Sequence, residues 1–248
     1  MADTPRRLTF GANAAAYEAA RPEWPVEAAR WLAPGAPRLV VEPGAGTGKL
    51  TRSLTALGLR VLAVEPDARM LAVLQEHGLE GVQGTAEALP LGDGEADAVV
   101  AGSSLHWFDL DAALGEFARV LRPGGTFAFG WNHRDSDHPA IARMSEVLHE
   151  VRPVGQSWRR RDWAGLVAGT GGRFRDVEHA RFPFVLDLPR ERLDDHLLSY
   201  SGLASLPEEE RRALFEDVAA ILDSDSSIRR GGRLELPFVV DGYRAVRV

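Results

Sequence analysis

The chain has 248 residues, of which 45% are hydrophobic and 26% charged, and it carries a formal net charge of −7. Those proportions suit one large globular domain, and the acidic balance argues against nucleic acid as a main partner. The absence of cysteine excludes disulfide scaffolds, zinc–cysteine centres and thiol nucleophiles. No run reaches the ~20 apolar residues of a membrane span, and "MADTPRRLTF" lacks the apolar stretch of a signal peptide, so a cytoplasmic protein with no membrane partner is expected.

Short apolar runs alternate with amphipathic segments along the chain. "RLVVE" (Arg38–Glu42) comes first, followed by a glycine turn and a helix over Lys49–Leu57. "RVLAVE" (Arg60–Glu65) repeats the form, and Asp67 is placed to cap a helix through Met70, Leu71 and Leu74 that stops near Gly78. "DAVVAGSS" (Asp97–Ser104) is the third run. Leu110, Leu114, Phe117 and Leu121 then sit at helical spacing until "RPGG" intervenes, and "TFAFGW" (Thr126–Trp131) is the fourth run. Runs apolar throughout suit parallel strands covered on both faces, and their alternation with helices gives right-handed crossovers in a doubly wound sheet.

Beyond Asn132 the pattern changes. Helices are expected over Ala140–Val151 and around Trp163, then two long strands, "FRDVEHARFPFVL" and "LELPFVVDGYRAVRV", separated by a charged helical stretch, Arg190–Leu222. The two strands would form an antiparallel edge, with the intervening helices over the strand ends. "RRR" (Arg159–Arg161) is the only dense basic run and reads either as a solvated face or as a contact for an anion.

The turn in "VVEPGAGTGKL" sets Gly44, Gly46 and Gly48 directly after a strand, where doubly wound sheets bind ligands. A phosphate-cradling loop needs four residues between its glycines and then Lys with Ser or Thr, but Lys49 precedes Leu50. A dinucleotide loop wants its third glycine where Lys49 stands. What is present instead is Glu42 ahead of the glycines and Glu65 at the tip of the next strand. Glu65 suits the two hydroxyls of a ribose and Glu42 a cationic amino-acid end, a combination found in S-adenosylmethionine, which has no pyrophosphate.

On these residues the chain resembles the class I S-adenosylmethionine-dependent methyltransferases, and within them the small-molecule branch that includes trans-aconitate methyltransferase. The likeness covers Phe10–Trp131 well and the remainder loosely. "VVEPGAGTGKLT" is similar to the family's first motif and "VLAVEPDARML" to its second. "GTAEALPLGDGEADAVVAGSSLHWF" resembles the third and fourth, and "ARVLRPGGTFAF" the approach to strand five. "FGANAAAYEAARPEWP" resembles an opening in which a Tyr and an Arg-Pro flank the cofactor.

The resemblance implies an α/β, Rossmann-like fold: a doubly wound, seven-stranded, mostly parallel sheet with an antiparallel C-terminal strand and a helical cap. Residues 1–248 would form one methyltransferase domain, with an N-terminal helical lid at 10–34, a cofactor-binding core at 35–135 and a helical cap insertion at 187–233. It implies S-adenosylmethionine as cofactor, with Gly44, Gly46 and Gly48 along its methionine part beside Glu42, and Glu65 on the ribose. Pro66 and Met70 would lie near the adenine, Met70 serving equally well as a core residue. Thr85, Ala86 and Glu87 would lie at the adenine edge, although the family often has Asp where this chain has Thr85. Ser103 would close the pocket, and Tyr17 and Arg21 would cover it.

A sulfonium methyl is already activated, so the protein's task is to align an acceptor and exclude water, with a base needed only where the acceptor must lose a proton. "SSLHWF" brings His106 and Trp107 to the pocket mouth, His106 as base, acceptor contact or structural histidine. "WNHRDSDH" would bring Asn132, His133, Arg134 and His138 to the same rim in a loop after strand five. There His133 is a second candidate base and Arg134 a partner for an acceptor carboxylate. Trp158 and Tyr200 of the cap would shape the acceptor pocket. The His133–His138 spacing is no helical ligand pair, so no metal is expected. The function expected is methyl transfer to a small-molecule acceptor, oxygen or carboxylate ahead of nitrogen or carbon. An NAD-dependent oxidoreductase and a non-catalytic cofactor-binding protein are the alternatives.

Overall fold

A computed structural model describes residue 18 and residues 21–151, 161–199, 203 and 206–248. Its strands are β1 (Val40–Pro43), β2 (Val61–Glu65), β3 (Gly81–Gln83), β4 (Ala96–Gly102), β5 (Leu121–Arg134), β6 (Phe174–Pro189), β7 (Arg229–Arg230) and β8 (Arg233–Arg247). They join in one sheet of order β3-β2-β1-β4-β5-β8-β6, with β7 beside β8. The strands from β3 to β5 along this path pair in parallel, whereas β8 runs antiparallel to both β5 and β6. Strand order reverses between β1 and β4, which opens a ligand crevice at their carboxyl ends.

The helices are α1 (Val26–Leu32), α2 (Lys49–Thr55), α3 (Ala68–Glu76), α4 (Leu110–Val120), α5 (Pro139–Val151), α6 (Trp163–Ala168), α7 (Leu193–Leu198) and α8 (Glu208–Asp223). They cover both sheet faces, as continuous apolar strands require. On one face Val41, Val99, Ala101, Phe127, Phe129 and Trp131 pack against Ala113, Leu114 and Phe117 of α4 and Trp163 and Val167 of α6. On the other, Val40, Val100, Ala128 and Val240 meet Leu50 and Leu54 of α2 and Ala28, Ala29 and Leu32 of α1. The side chain of Asp67 accepts the Arg69 N–H at 2.9 Å and so caps α3.

The two long strands form the antiparallel edge expected of them: β6, interrupted by Pro183 with its missing donor, is outermost, and β8, with the buried run Phe238–Val240, lies between it and β5. Two expectations need correction. The segment Val26–Leu32, expected within a lid, packs on the back of the sheet because its small residues Ala28 and Ala29 allow close approach. Asn132, His133 and Arg134, expected in a loop, continue β5 because β8 supplies partners at Val240, Val239 and Phe238.

The far halves of β6 and β8 carry a second apolar cluster. Leu188, Leu234, Leu236 and Phe238 meet Ile141 and Met144 of α5, Leu193 and Leu197 of α7, and Leu214, Val218 and Leu222 of α8. The cap helices between β6 and β8 therefore share their core with α5, which precedes both strands. Among the described residues no helix is long and apolar enough to cross a membrane.

Candidate active site

The glycine turn is tied across β2, since the Gly44 N–H donates to the Val64 carbonyl at 2.7 Å. Its glycines serve different ends. Around Gly46, at φ +60°, no atom of the described residues lies within 4 Å of where a Cβ would stand, so among them this residue borders open space. A Cβ on Gly48, at φ +86°, would lie 2.7 Å from Leu79 Cδ1 and 3.0 Å from Leu74 Cγ. One on Gly44 would lie 2.7 Å from Ser104 Cβ. Gly48→Ala combines a left-handed backbone with overpacking and is expected to cost about 1–3 kcal/mol of stability in denaturant unfolding. An unchanged midpoint would show that α3 yields without strain.

Two carboxyl groups flank this turn. Glu65, 6% exposed, accepts the Gly46 N–H at Oε2 (2.8 Å) and the Asp67 N–H at Oε1 (2.9 Å). Each carboxylate oxygen can accept twice, so these bonds leave further acceptor capacity. Burial raises the Glu65 pKa, the two backbone donors opposing it. Glu42, 1% exposed, accepts the Thr51 hydroxyl at 2.6 Å. Burial pushes its carboxyl up to about 8 against that hydrogen bond, with the nearby charge of Glu65 adding to the rise.

The end of β4 forms the adjoining wall. Ser103 takes a left-handed φ of +54°, with its N–H on the Gly130 carbonyl at 2.7 Å and its Oγ accepting the Asn132 N–H at 3.3 Å. The Ser104 hydroxyl donates to the Pro43 carbonyl at 3.0 Å, holding this wall against the glycine turn. In the 3-10 turn that follows, His106 Nδ1 accepts the indole N–H of Trp131 at 3.2 Å. The neutral ring therefore carries its proton on Nε2. Burial, and then the charge of Arg161, lowers the His106 pKa to about 4. The ring of Trp107, 36% exposed, lies 4.7 Å from that of His106.

The other residues expected in the site take the following places. Pro66 is half-buried beside Glu65, and Met70 and Ala86 are buried. Thr85 forms an isolated bridge with Ala88, and Glu87 accepts the Asp109 N–H at 3.0 Å, ahead of α4. Arg21 donates to the Ser199 carbonyl at 3.2 Å, tying the N-terminal segment to the cap. Tyr17, Trp158 and Tyr200 lie outside the described residues.

Because β5 continues to Arg134, its last residues alternate between faces and do not share a rim. Asn132 donates through Nδ2 to the Glu23 carbonyl at 3.1 Å. His133 is engaged by Asp241, with Nε2 2.7 Å from Oδ2 and Nδ1 2.9 Å from the Arg134 carbonyl. Although burial works against its charge, Asp241 is held below the usual carboxylate range by His133, His179 and Arg181. Arg134 is buried, and His138 meets Ser227 of the cap at 3.1 Å. Among the described residues no group of three or more His, Cys, Asp or Glu is placed to hold a metal.

Several polar partners went unforeseen. Lys49 Nζ lies 3.3 Å from Glu18 and 3.0 Å from Glu23, and Arg52 binds the same two acids at 2.6 and 2.7 Å. These pairs clamp the N-terminal segment to the start of α2. Thr51 and Trp131, the partners of Glu42 and His106, were likewise hidden, although Thr51 stands one turn into a helix whose start was readable.

A methyltransferase-domain family model matches residues 41–129. An uncharacterised methyltransferase from Mycobacterium tuberculosis is 36% identical over 241 residues, covering 96% of this chain and 95% of its own. The chain belongs to the class I S-adenosylmethionine-dependent methyltransferases. A malonyl-[acyl-carrier protein] O-methyltransferase from Methylococcus capsulatus is 36% identical to this methyltransferase, with 84% of this chain and 87% of its own covered. A solved structure from Anabaena variabilis, described as a methyltransferase from an antibiotic biosynthesis pathway, shares the fold with a TM-score of 0.64 at 22% identity, covering 87% of this chain and 95% of that one.

The cofactor of this methyltransferase is S-adenosylmethionine, and the site fits it on two counts. The space at Gly46 admits a ligand against the backbone. Unspent acceptor capacity on Glu65, with Glu42 close by, matches a group with ribose hydroxyls and positive charge.

Proposed function

We propose that this methyltransferase acts on an oxygen of a small-molecule acceptor, and that a carboxylate is the acceptor it fits best. The observation that carries the reading is the state of His106: its Nδ1 is taken up by Trp131 and its pKa lies near 4, so it is a weak base at neutral pH. A carboxylate arrives already ionised and needs no base, unlike an alcohol or an ammonium group. The malonyl-[acyl-carrier protein] O-methyltransferase relative and the resemblance to trans-aconitate methyltransferase support the same reading.

When bound, S-adenosylmethionine supplies a methyl group activated on a sulfonium. Glu65 would hold the ribose hydroxyls, Glu42 would complement the cationic amino-acid end, and Gly44, Gly46 and Gly48 would form the wall between them. Pro66, Thr85 and Glu87 would border the adenine, and Ser103 would shape the pocket floor. His106 would orient the acceptor by donating from Nε2, and Trp107 would screen it from water. The core at 35–135 would thus hold the cofactor while the N-terminal segment and the cap at 187–233 enclose the acceptor.

The test is transfer from S-adenosylmethionine tritiated in the methyl group to a panel of small carboxylic acids and matched neutral alcohols and amines. Base-labile label, released as methanol, is the expected result because it marks a methyl ester. Label confined to base-stable products would overturn the carboxylate reading. His106→Ala is expected to lower kcat/KM on the order of 10- to 100-fold through lost positioning, with the pH profile between 6 and 8 unchanged. A rate that climbs with pH in the wild type, and loses that climb in the variant, would make His106 a base.

A further inference from the structure

Beyond the glycine turn, the ends of β4 and β5 present two polar groups that the fold does not use up. Asn132 donates through Nδ2 to the Glu23 carbonyl at 3.1 Å. A carbonyl oxygen only accepts, so this contact fixes which end of the amide is which and leaves Oδ1 as the other. Oδ1 is buried, and no donor of the described residues reaches it. A buried acceptor left unpaired is costly and uncommon in folded proteins. One strand away, Ser103 Oγ accepts the Asn132 backbone N–H at 3.3 Å, and among the described residues no acceptor takes its hydroxyl hydrogen. Ser103 also holds a left-handed φ of +54°, a strained conformation for a serine of the kind that clusters at functional sites.

Place decides which ligand these groups meet. In the sheet order β2-β1-β4-β5, Glu65 stands at the tip of β2, the glycine turn follows β1, Ser103 follows β4 and Asn132 lies near the end of β5. Ribose, methionine part and this pair therefore follow one another across strands spaced ~4.8 Å apart, which puts the pair on the acceptor's side of the methyl group. An unspent acceptor beside an unspent donor matches a hydroxyl, which donates to one and accepts from the other. An ionised carboxylate would set its lone pairs against Asn132 Oδ1, and an ether could use Ser103 alone. An amide oxygen is too weak a base to take the proton that a reacting hydroxyl must lose, so the hydroxyl is held there and not methylated.

We propose that Asn132 and Ser103 are specificity residues that bind a neutral hydroxyl of the acceptor, distinct from the oxygen that is methylated, and so select hydroxylated acceptors over their deoxy counterparts. Joined to the carboxylate reading above, on which it rests, this makes the substrate class a small hydroxy acid. A site built around a hydroxyl discriminates strongly, because an analogue lacking that group leaves both protein groups unpaired.

The experiment uses the full chain and matched trios of small carboxylic acids: an acid with one hydroxyl, its deoxy parent and its methyl ether, the hydroxyl moving along the carbon chain from trio to trio. Binding to the complex with S-adenosylhomocysteine is read by tryptophan emission, and transfer from the tritiated cofactor as kcat/KM. In at least one trio the hydroxy acid is expected to exceed both counterparts on the order of 10- to 100-fold. Asn132→Ala and Ser103→Gly should each remove most of that preference, while S-adenosylhomocysteine affinity, by calorimetry, should change far less. Glycine suits the left-handed backbone at Ser103, so that variant keeps its fold even if loss of the Asn132 bond to Glu23 disturbs the other. The proposal is overturned if the members of every trio bind alike, if both variants keep the preference, or if no acid saturates the wild type below about 10 mM, above the usual KM range. It is also overturned if S-adenosylhomocysteine affinity falls as steeply as the preference, which would assign the pair to the cofactor. The carboxylate reading fails separately. A hydroxyl preference in binding with base-stable label would sink only that reading, and base-labile label with no hydroxyl preference only the role of Asn132 and Ser103.

Discussion

Glu42→Gln is expected to stabilise the ligand-free protein by an amount that grows as the pH rises from about 4.5 to about 8. The folded-state pKa of Glu42 lies above its ordinary value of 4.5, chiefly through burial. The folded protein therefore holds this proton more tightly than the unfolded chain does. The associated stability is complete below the unfolded pKa and is lost as the pH rises through the folded one. Over that window the loss is on the order of 3–5 kcal/mol. Glutamine keeps the shape and still accepts the Thr51 hydroxyl, but cannot ionise. Chemical unfolding at pH 5 and pH 8 checks this, with parallel pH dependence in both proteins as the contrary result.

The same substitution should expose why a destabilising acid stands at this position. A cationic ligand end favours the ionised form of Glu42, so cofactor binding near pH 7 is expected to release a proton from the wild type and none from Glu42→Gln. Calorimetry in two buffers of different ionisation enthalpy reads that difference directly. Equal proton release in both proteins would place the titrating group elsewhere.

Strands β1, β2 and β4 are legible in the sequence because both their faces are buried, so an unbroken apolar run marks each one. Glu42 and Glu65 are legible for a related reason: an acid at the end of such a run stands at the carboxyl end of its strand, where the crevice opens. The end of β5 is not legible. "WNHR" has the composition of a loop, and its strand geometry comes from β8, with His133 meeting Asp241 at a separation of 108 positions. The bond between Trp131 and His106 depends on the register of β4 against β5, Gly102 opposite Gly130, which no local pattern encodes. That register also changes the chemistry ascribed to His106, since a histidine whose Nδ1 is already taken up orients an acceptor better than it deprotonates one. Glu18 and Glu23 read as ordinary surface acids until Lys49 and Arg52 are seen beside them.

At Glu65 the loss should fall on cofactor affinity. Glu65→Ala removes a charged acceptor from the ribose position, worth about 1.5–3 kcal/mol, and leaves the Gly46 and Asp67 N–H groups without their acceptor. Together these effects predict S-adenosylhomocysteine binding weakened on the order of 10- to 100-fold or more. Glu65→Gln separates the two contributions. Its amide oxygen can accept one backbone N–H, but its NH2 must then face the other, so the turn is disturbed even though the shape is kept. The glutamine variant should therefore lose most of the affinity as well, together with some thermal stability. Calorimetric titration of both variants, with melting curves alongside, decides the matter. If both bind S-adenosylhomocysteine as the wild type does, the tip of β2 carries no part of the cofactor, and the hydrogen bonds of Glu65 to Gly46 and Asp67 serve only to shape the turn.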